Sequence, residues 1–179
     1  ETEPQDSRAG RLLNSPRGRM LGGCSSMNAM IYQRGAPANY DGWNGGNITG
    51  WGWKDVLPYF IRAENNERID NALHGKGGPL IVMEQRDPNP LSKALVTAAE
   101  EQGFPLNDDF NDGDQTGFGM YQVTQRGGMR GSAAVSYMHP AMERENLTLL
   151  PLALTRRIVI ENGRALGVES EVTGEDGVE

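Results

Sequence analysis

Two adjacent glycines, Gly22 and Gly23, constrain the fold of this chain more than any other feature of its sequence. A glycine pair lets the backbone turn sharply and lets a ligand approach the main chain without a Cβ in the way. Backbone N–H groups at a loop-to-helix junction also suit a phosphate or an electron-rich ring edge. We interpret residues 18–26 as a tight loop that leads into a short helix or a buried segment at Met27–Tyr32.

Glycine content alone favours a plainer interpretation, because short glycine motifs often occur in ordinary tight turns. The segment lacks the Lys and the spacing of a P-loop, and the pattern G-x-G-x-x-G is absent from the chain. The residues themselves therefore leave a structural turn and a ligand-binding loop both open.

Hydrophobic periodicity and turn residues predict an α+β fold with separate helices and antiparallel hairpin strands. The predicted helices are Lys54–Glu64, a helix capped by Asn89 and Pro90 and stopped by Gly103, and Ser132–Met142. Pro58 fits its helix only near the first turn, and Pro140 marks a kink or an early end.

The strongest strand signal is Asn162-Gly163 between two apolar-rich runs, which is typical of a hairpin turn. The predicted strands are Leu80–Met83, Met120–Gln125 (ended by Gly127-Gly128), Leu147–Leu150, Arg157–Glu161 and Arg164–Val172. Loops are expected at Gly42–Gly52 and at Asp108–Gly119.

Composition excludes several classes of protein. The net charge of -7 argues against nucleic acid and anionic membranes as partners. The single cysteine, Cys24, excludes an internal disulfide, and no apolar run is long enough to span a bilayer. Both ends of the sequence look cut, so we expect a fragment, and a cytoplasmic location is a default expectation.

Other residues with reactive side chains favour structural interpretations. We expect a loop role for His74, which lies in the segment His74-Gly75-x-x-Gly78-Pro79. His139 precedes a proline on a predicted helix and has no evident partner acid or nucleophile, so we expect a surface or core position for it. Trp43, Trp51 and Trp53 favour packing over a substrate pocket. The acidic run Asp108, Asp109, Asp112 and Asp114 departs from the EF-hand spacing and favours a solvated loop over a calcium site. For Arg130, Arg156 and Arg157, a phosphate contact and a plain surface role stay equally open.

A longer pattern resembles the first signature of the glucose–methanol–choline (GMC) oxidoreductases. It reads Gly18-Arg19-x-Leu21-Gly22-Gly23-x-Ser25-x-Met27-Asn28-x-x-x-Tyr32-x-x-Gly35, followed by Asp41. Cys24 stands where the family usually has Gly, Ser or Thr. Later segments, from Trp51–Phe60 and His74-Gly75 to Gly167-Val168-Glu169, are similar to choline-dehydrogenase-like members in the same order, so the resemblance covers essentially the whole chain.

The resemblance implies an FAD enzyme that oxidises the CH–OH group of a small-molecule alcohol by hydride transfer, with a His taking the hydroxyl proton. Carried over by position, the residues expected at the cofactor are Met20, Gly22, Gly23, Cys24, Asn28, Ala29, Met30, Ile31 and Thr155. Thr155 would hold the adenine through its backbone, where Val is commoner. Met27 occupies the position at which some members attach FAD through a His, so non-covalent FAD is expected. The resemblance assigns no catalytic residue and no metal to this chain.

The resemblance also implies what the chain lacks. We expect an internal fragment of a two-domain flavoprotein that needs the rest of its own polypeptide, namely the preceding dinucleotide-binding unit and the following catalytic region. Residues 1–76 and 131–179 are assigned to the FAD-binding domain and residues 77–130 to the substrate domain. Two alternatives stay open, a hydroxynitrile-lyase-like member that keeps FAD without redox use, and an inactive truncated fragment.

Overall fold

The computed structural model describes residues 2–44, 48–174 and 177–178. It comprises two compact units, Glu1–Pro140 and Ala141–Glu179. The elements of the first unit are α1 (Pro37–Trp43), α2 (Trp53–Ala63), β1 (Glu64–Asn66), β2 (Leu80–Val82), α3 (Pro90–Glu101), β3 (Gln125–Arg126) and β4 (Met129–Arg130). Short 3-10 helices lie at Asp6–Arg8 and Gly23–Ser26, and a π-helical turn at Ala134–Met138 leads into α4 (His139–Ala141). The second unit holds β5 (Ala153–Glu161), β6 (Arg164–Gly174) and β7 (Gly177–Val178).

Helix α2 confirms the helix predicted from Lys54, and it begins one residue earlier. At its start the backbone N–H of Gly52 donates to Asp55 Oδ2 at 3.0 Å. Pro58 lies at the sixth position, beyond the first turn where it was expected. Proline removes one helical N–H and frees the carbonyl four residues earlier. Both Pro58 and Lys54 are exposed, so water can satisfy that carbonyl.

The loop expected at Gly42–Gly52 is wrong at its start, because Gly42 and Trp43 belong to α1. Pro37 fills the first helical position, where its fixed φ is already helical. The Ala36 N–H donates to Asn39 Oδ1 at 3.0 Å and so satisfies a group at the helix start. Residues 45–47 of the expected loop lie outside the described part of the chain.

An aromatic cluster joins α1 to α2. The ring of Tyr40 lies 5.2 Å from Trp43, 5.6 Å from Trp53 and 5.8 Å from Phe60, between centroids. Trp51 extends the cluster at 6.4 Å from Trp43. These separations are in the range of favourable aromatic packing. The three tryptophans therefore pack against neighbouring rings, while Trp43 and Trp51 remain 54% and 55% exposed.

Helix α3 confirms both predicted ends. The N–H of Leu91 donates to Asn89 Oδ1 at 2.9 Å, and Gly103 follows the helix with φ of +82°. Left-handed φ is what glycine supplies at a helix end. The apolar face is mostly open, with Leu91 78% and Leu95 62% exposed and Ala99 buried.

The strand predicted at Leu80–Met83 is confirmed by β2, which pairs in parallel with β1 through Glu64 and Leu80. The strand predicted at Met120–Gln125 forms in part. Val123 bridges to both Ile31 and Met83, and the regular pairing begins at Gln125 in β3. The turn at Gly127-Gly128 then joins β3 to β4.

The helix predicted at Ser132–Met142 is present as the π-helical turn and α4. The strand predicted at Leu147–Leu150 is wrong, because these residues have no strand pairing and β5 begins at Ala153. Pro151 lies between them and has no N–H to donate to a strand ladder. The apolar run is thus separated from the hairpin by a turn.

The predicted hairpin is confirmed by β5 and β6, which pair antiparallel from Glu161 and Arg164 outward. The turn residues Asn162 and Gly163 have φ of +50° and +75°. Positive φ at both positions matches the right-handed twist of the two strands. Arg156 pairs with Glu171 and Arg157 with Glu169 on exposed surfaces, so both arginines make surface ion pairs.

The interior of the first unit is unusually polar. Its buried apolar side chains include Val82, Met83, Phe110 and Val123. The largest fully buried side chains are Glu64, Val82 and Asn66. Burial of a charged group is costly unless it is paired and hydrogen-bonded. The core is therefore organised around a polar network, which contacts the chain at Tyr32, beyond the predicted ligand-binding loop.

Replacing Asn89 tests the cap of α3. Asn89→Ala removes the side-chain acceptor of the Leu91 N–H, so we expect the chain to lose about 1 kcal/mol of unfolding free energy. Asn89→Ser retains an acceptor and is expected to stay within a few tenths of the wild type. Urea unfolding monitored by circular dichroism measures both. Equal losses in the two variants would contradict the capping role.

Candidate functional site

The loop at residues 18–28 is closed by its own hydrogen bonds. Ser26 Oγ donates to the carbonyl of Leu21 at 2.7 Å, and the Gly18 N–H donates to Cys24 Sγ at 3.3 Å. The N–H of Gly23 donates to the Met20 carbonyl at 2.9 Å and starts the 3-10 helix Gly23–Ser26. These bonds define the conformation of the loop.

The glycine pair has two different functions in this loop. Gly22 has φ of +84°, and a Cβ built there would lie 2.4 Å from Ser26 Oγ. Gly23 has φ of +56°, but a Cβ there would meet nothing within 4 Å. Gly22 is therefore required by the loop itself, whereas Gly23 presents bare backbone to open space. This open face is where a ligand can reach the main chain.

The segment after the loop is extended and partly exposed, so the helix or buried segment expected at Met27–Tyr32 is wrong. The N–H of Met30 donates to Asn28 Oδ1 at 3.0 Å, and Met30 has φ of +61°. A side-chain bond of this kind and a left-handed residue both interrupt a helix. The Met30 carbonyl then accepts from the Thr124 N–H at 2.8 Å, and Ile31 remains 49% exposed.

The site residues named from the sequence fall into two groups. Eight of them follow one another along the loop and the extended segment, all exposed or half-buried: Met20, Gly22, Gly23, Cys24, Asn28, Ala29, Met30 and Ile31. Thr155 belongs to the second compact unit, on β5 beside a bulge, where its Oγ1 lies 3.4 Å from Ser170 Oγ. The role of each residue at a cofactor stays a prediction.

Arg130 fastens the loop from the end of β4. Its Nη1 donates to the carbonyl of Asn28 at 2.7 Å, to Asn28 Oδ1 at 3.0 Å and to the carbonyl of Ser25 at 3.1 Å. The Ala133 N–H donates to Ser25 Oγ at 2.8 Å from the same side. Of the two roles left open for Arg130, phosphate contact and plain surface cation, the structure supports neither. The guanidinium braces the loop backbone.

Sequence reasoning missed a buried cluster directly behind the extended segment. Arg34 Nη2 donates to Glu64 Oε2, and Glu64 Oε1 lies 2.9 Å from His74 Nδ1. His74 Nε2 lies 2.9 Å from Asp109 Oδ2. His74 lies in a turn, as predicted. Its side chain is fully buried, so the ring belongs to the core. His139, in contrast, is exposed on α4.

The environment shifts the pKa values of this cluster. Burial alone lowers the pKa of His74, but the hydrogen bond and charge of Glu64 and the charge of Asp109 raise it on balance. Burial alone raises the pKa of Glu64, but hydrogen bonds from His74 and Asn66 and the charge of Arg34 lower it on balance. Burial also raises the pKa of the Tyr32 phenol. The surroundings therefore favour protonated His74, ionised Glu64 and neutral Tyr32.

The acidic loop uses its side chains to bind its own backbone. Asp109 Oδ1 accepts from the Asn111 N–H at 2.9 Å, and Asp114 Oδ1 accepts from the Thr116 N–H at 2.8 Å. This second bond is the largest influence that lowers the pKa of Asp114. Across the described ranges, no group of three His, Cys, Asp or Glu side chains is arranged to hold a metal.

Arg130→Ala is expected to loosen the loop without unfolding the chain. The variant removes donors to two loop carbonyls, so stability should fall by about 1–2 kcal/mol and amide exchange at residues 25–30 should accelerate. The control is Arg126→Ala, since Arg126 is an exposed residue of the same hairpin. Amide hydrogen exchange measured by mass spectrometry compares the Arg130→Ala variant with the Arg126→Ala control. Unchanged exchange in the Arg130 variant would rule out the bracing role.

Comparison with known proteins identifies the family. A family profile described as GMC oxidoreductase matches residues 6–178. Oxygen-dependent choline dehydrogenase of Brucella anthropi is 44% identical over 170 residues, which are 95% of this chain and 31% of that protein. The protein of the same name from Sinorhizobium fredii is 42% identical over 173 residues, 97% of this chain and 31% of that protein. The chain therefore spans about 31% of the length of these relatives.

Solved structures share the fold. Pyridoxine 4-oxidase from Mesorbium loti has a TM-score of 0.82 and 33% identity, over 99% of this chain and 35% of that chain. An FAD-dependent oxidoreductase from Chaetomium thermophilum has a TM-score of 0.82 and 26% identity, over 99% of this chain and 33% of that chain. None of the helices described in this chain is both long and apolar enough to span a bilayer. The family implies FAD as cofactor, and the match extends over nearly all of the chain, which therefore belongs to the GMC oxidoreductase family.

Proposed function

We propose that this chain forms the flavin-facing wall of an FAD-dependent oxidoreductase that acts on the CH–OH group of small-molecule alcohols. The observation that carries the proposal is the open backbone at Gly23, next to the exposed segment at residues 28–31. Bound FAD would supply the hydride acceptor. Relatives are named as a choline dehydrogenase and a pyridoxine oxidase, and the substrates in those names are alcohols.

The loop residues fit a flat cofactor approaching the main chain. Gly23 leaves its Cα face open, and the small side chain of Cys24 accepts from the Gly18 N–H through its Sγ. Cys24 Sγ is therefore occupied within the loop. Asn28 Oδ1 accepts from the Met30 N–H and from Arg130. Its side-chain amide N–H groups make no hydrogen bond within the described part of the chain, so they are proposed to donate to the cofactor. In the second unit, we propose that Thr155 contacts the adenine through its backbone.

The proton acceptor of the reaction is proposed to be a His outside this chain. Both ring nitrogens of His74 are engaged by carboxylates inside the core, so His74 is not free to accept a proton from an alcohol. His139 lies exposed in α4. These positions support a role for this chain in holding the flavin, while another part of the polypeptide supplies the base.

The flavin is proposed to be held without a covalent bond. Met27 occupies the position of the attachment residue that some family members use, and it is 54% exposed. A thioether sulfur has no proton to lose and is a weak nucleophile compared with an imidazole nitrogen. The side chain at this position can therefore pack against the cofactor, but it does not become linked to it.

Gly23→Ala is expected to separate cofactor binding from folding. The added methyl group enters open space, so the folding cost should be limited to about 1 kcal/mol for the left-handed φ. Because the same methyl group would stand between the backbone and the flavin, FAD affinity should fall at least tenfold, or about 1.4 kcal/mol. The measurement is FAD titration of the longest natural polypeptide that contains this chain.

Gly127→Ala is the matched control for that substitution. Gly127 has φ of +55° and also faces open space, but it lies in the β3–β4 turn. The Gly127→Ala variant should show the same folding cost as Gly23→Ala, and its FAD affinity should equal that of the wild type. Equal FAD affinity in the two variants would contradict the placement of the flavin at Gly23.

Alcohol oxidation and flavin attachment can be tested on the same polypeptide. Under anaerobic conditions, adding a primary alcohol is expected to bleach the visible absorbance of the oxidised flavin. Acid precipitation should then leave the flavin in the supernatant, in both the wild type and Met27→Leu. Flavin that stays with the precipitate would contradict non-covalent binding. Cyanohydrin cleavage with a flavin that stays oxidised would contradict the oxidoreductase proposal.

A further inference from the structure

Four charged side chains meet in the interior of the first unit. Arg34 and Glu64 have side chains 1% and 0% exposed, and the side chain of His74 is 0% exposed. Asp109 closes the cluster with 15% of its side chain exposed. Tyr32 adds its phenol oxygen, which accepts from Arg34 Nε at 3.4 Å. Ions this deeply buried persist only where each is paired and hydrogen-bonded.

The hydrogen-bond partners determine the protonation state of His74. Its Nδ1 lies 2.9 Å from Glu64 Oε1, and its Nε2 lies 2.9 Å from Asp109 Oδ2. Ionised carboxylates only accept hydrogen bonds, and a neutral imidazole donates from one nitrogen alone. Both contacts are satisfied together only when His74 carries a proton on each nitrogen. The cluster then holds two positive charges, on Arg34 and His74, and two negative ones.

Neighbouring amides agree with this assignment. Asn66 Nδ2 lies 2.7 Å from Glu64 Oε1 and 2.8 Å from Gln122 Oε1, so these two acceptors use both of its hydrogens. The 3.3 Å approach of Asn66 Nδ2 to His74 Nδ1 is then a contact between two donors, each bonded elsewhere. Glu64 Oε1 accepts from both His74 and Asn66.

The cluster is joined directly to the extended segment that faces the proposed flavin. Asn111 Nδ2 donates to the Tyr32 carbonyl at 3.2 Å, and the Arg34 N–H donates to Asn111 Oδ1 at 2.6 Å. Asn111 is itself held by Asp109, whose Oδ1 accepts from its N–H. On the other side, the Tyr32 N–H donates to the Gln122 carbonyl at 2.9 Å. The segment therefore ends in residues whose positions depend on His74.

We propose that His74 is a positioning residue that is protonated at neutral pH and fixes residues 28–32 by tying the Asp109 loop to Glu64 on β1. The protonation of His74 stands on the core geometry alone. The effect on flavin binding rests on the proposed function, and the two can fail separately.

The proposal gives a defined pH window. The raised pKa of His74 means that its stabilisation is complete below its ordinary value of about 6.5 and is lost as pH rises through the higher folded-state pKa. The lowered pKa of Glu64 means that its stabilisation is complete above its ordinary value near 4.5 and is lost as pH falls through the lower folded-state pKa. The ionisable groups that contact His74 are Glu64 from β1 and Asp109 from the acidic loop. Arg34 contacts Glu64, and Tyr32 contacts Arg34 in turn.

The first experiment is NMR of the imidazole nitrogens in the 179-residue chain. The chain has two histidines, so His139→Gln assigns both sets of signals. We expect His74 to show two N–H protons at pH 7, one for each carboxylate that its ring nitrogens contact. A neutral His74 at pH 7 would overturn the proposal.

The second experiment uses Asp109→Asn, which keeps an oxygen acceptor but removes its charge. Asp108→Asn is the matched control, because Asp108 is the exposed neighbour in the same loop. The Asp109 variant should bring the titration of His74 down toward that of an ordinary imidazole and move the alkaline loss of stability to lower pH. The Asp108 variant should change neither, and an equal response of the two variants would also overturn the proposal.

The third experiment measures FAD affinity against pH in the longest natural polypeptide with this chain. The wild type and Asp108→Asn should lose flavin only at alkaline pH, and Asp109→Asn should lose it at a lower pH, in step with its own His74 titration. If the pH dependence of FAD affinity does not follow the titration of His74, the positioning role would be overturned. A wild type that fails to bind FAD at all pH values would instead reject the proposed function, and the NMR result for His74 would still stand.

Discussion

The carboxylate of Glu64 is the interaction on which the first unit depends. It is fully buried, and it binds Arg34 through one oxygen and His74 through the other. An ionised carboxylate in such a place costs several kcal/mol unless its partners remain in position. The strand that carries Glu64, the turn that carries His74 and the segment that carries Arg34 must therefore form together. Removing one partner would leave an uncompensated charge in the core.

This requirement explains how an open loop can be placed accurately. The loop at residues 18–28 and the segment after it are largely exposed, so they gain little from apolar burial. Their positions are set instead by hydrogen bonds on one side only. Arg130 donates to the loop, Asn111 donates to the Tyr32 carbonyl, and the Tyr32 N–H donates to the Gln122 carbonyl. A binding surface held from one side leaves its other side free for a ligand. The bare Gly23 backbone lies on that free side in our proposal.

Sequence reasoning predicted the features whose signals are local. The hairpin around Asn162-Gly163 and the cap of α3 at Asn89 follow from single residues with defined backbone preferences, and the structure has both. The short helix α1 was missed because its proline, asparagine and glycine resemble loop composition. Its stability comes instead from the rings packed around Tyr40. The strand at Leu147–Leu150 was wrong because an apolar run needs a pairing partner as well as composition.

The polar core could not be predicted in this way. Arg34 and Glu64 are 30 residues apart in the chain, and Arg34 and Asn111 are 77 apart, so no local pattern connects them. Charged residues are rarely buried, and sequence alone gives no reason to pair these ones. His74 was correctly placed in a turn, but its burial follows from carboxylates that come from distant segments. The candidate loop, in contrast, was found because its residues are consecutive.

The most direct test of the central claim is a structure of the longest natural polypeptide with this chain, determined with FAD bound. The account predicts the isoalloxazine ring in van der Waals contact with the Gly23 Cα and with residues 28–31, and no bond between the Met27 sulfur and the flavin. A flavin ring held elsewhere, with the Gly23 face still open to solvent, would contradict it.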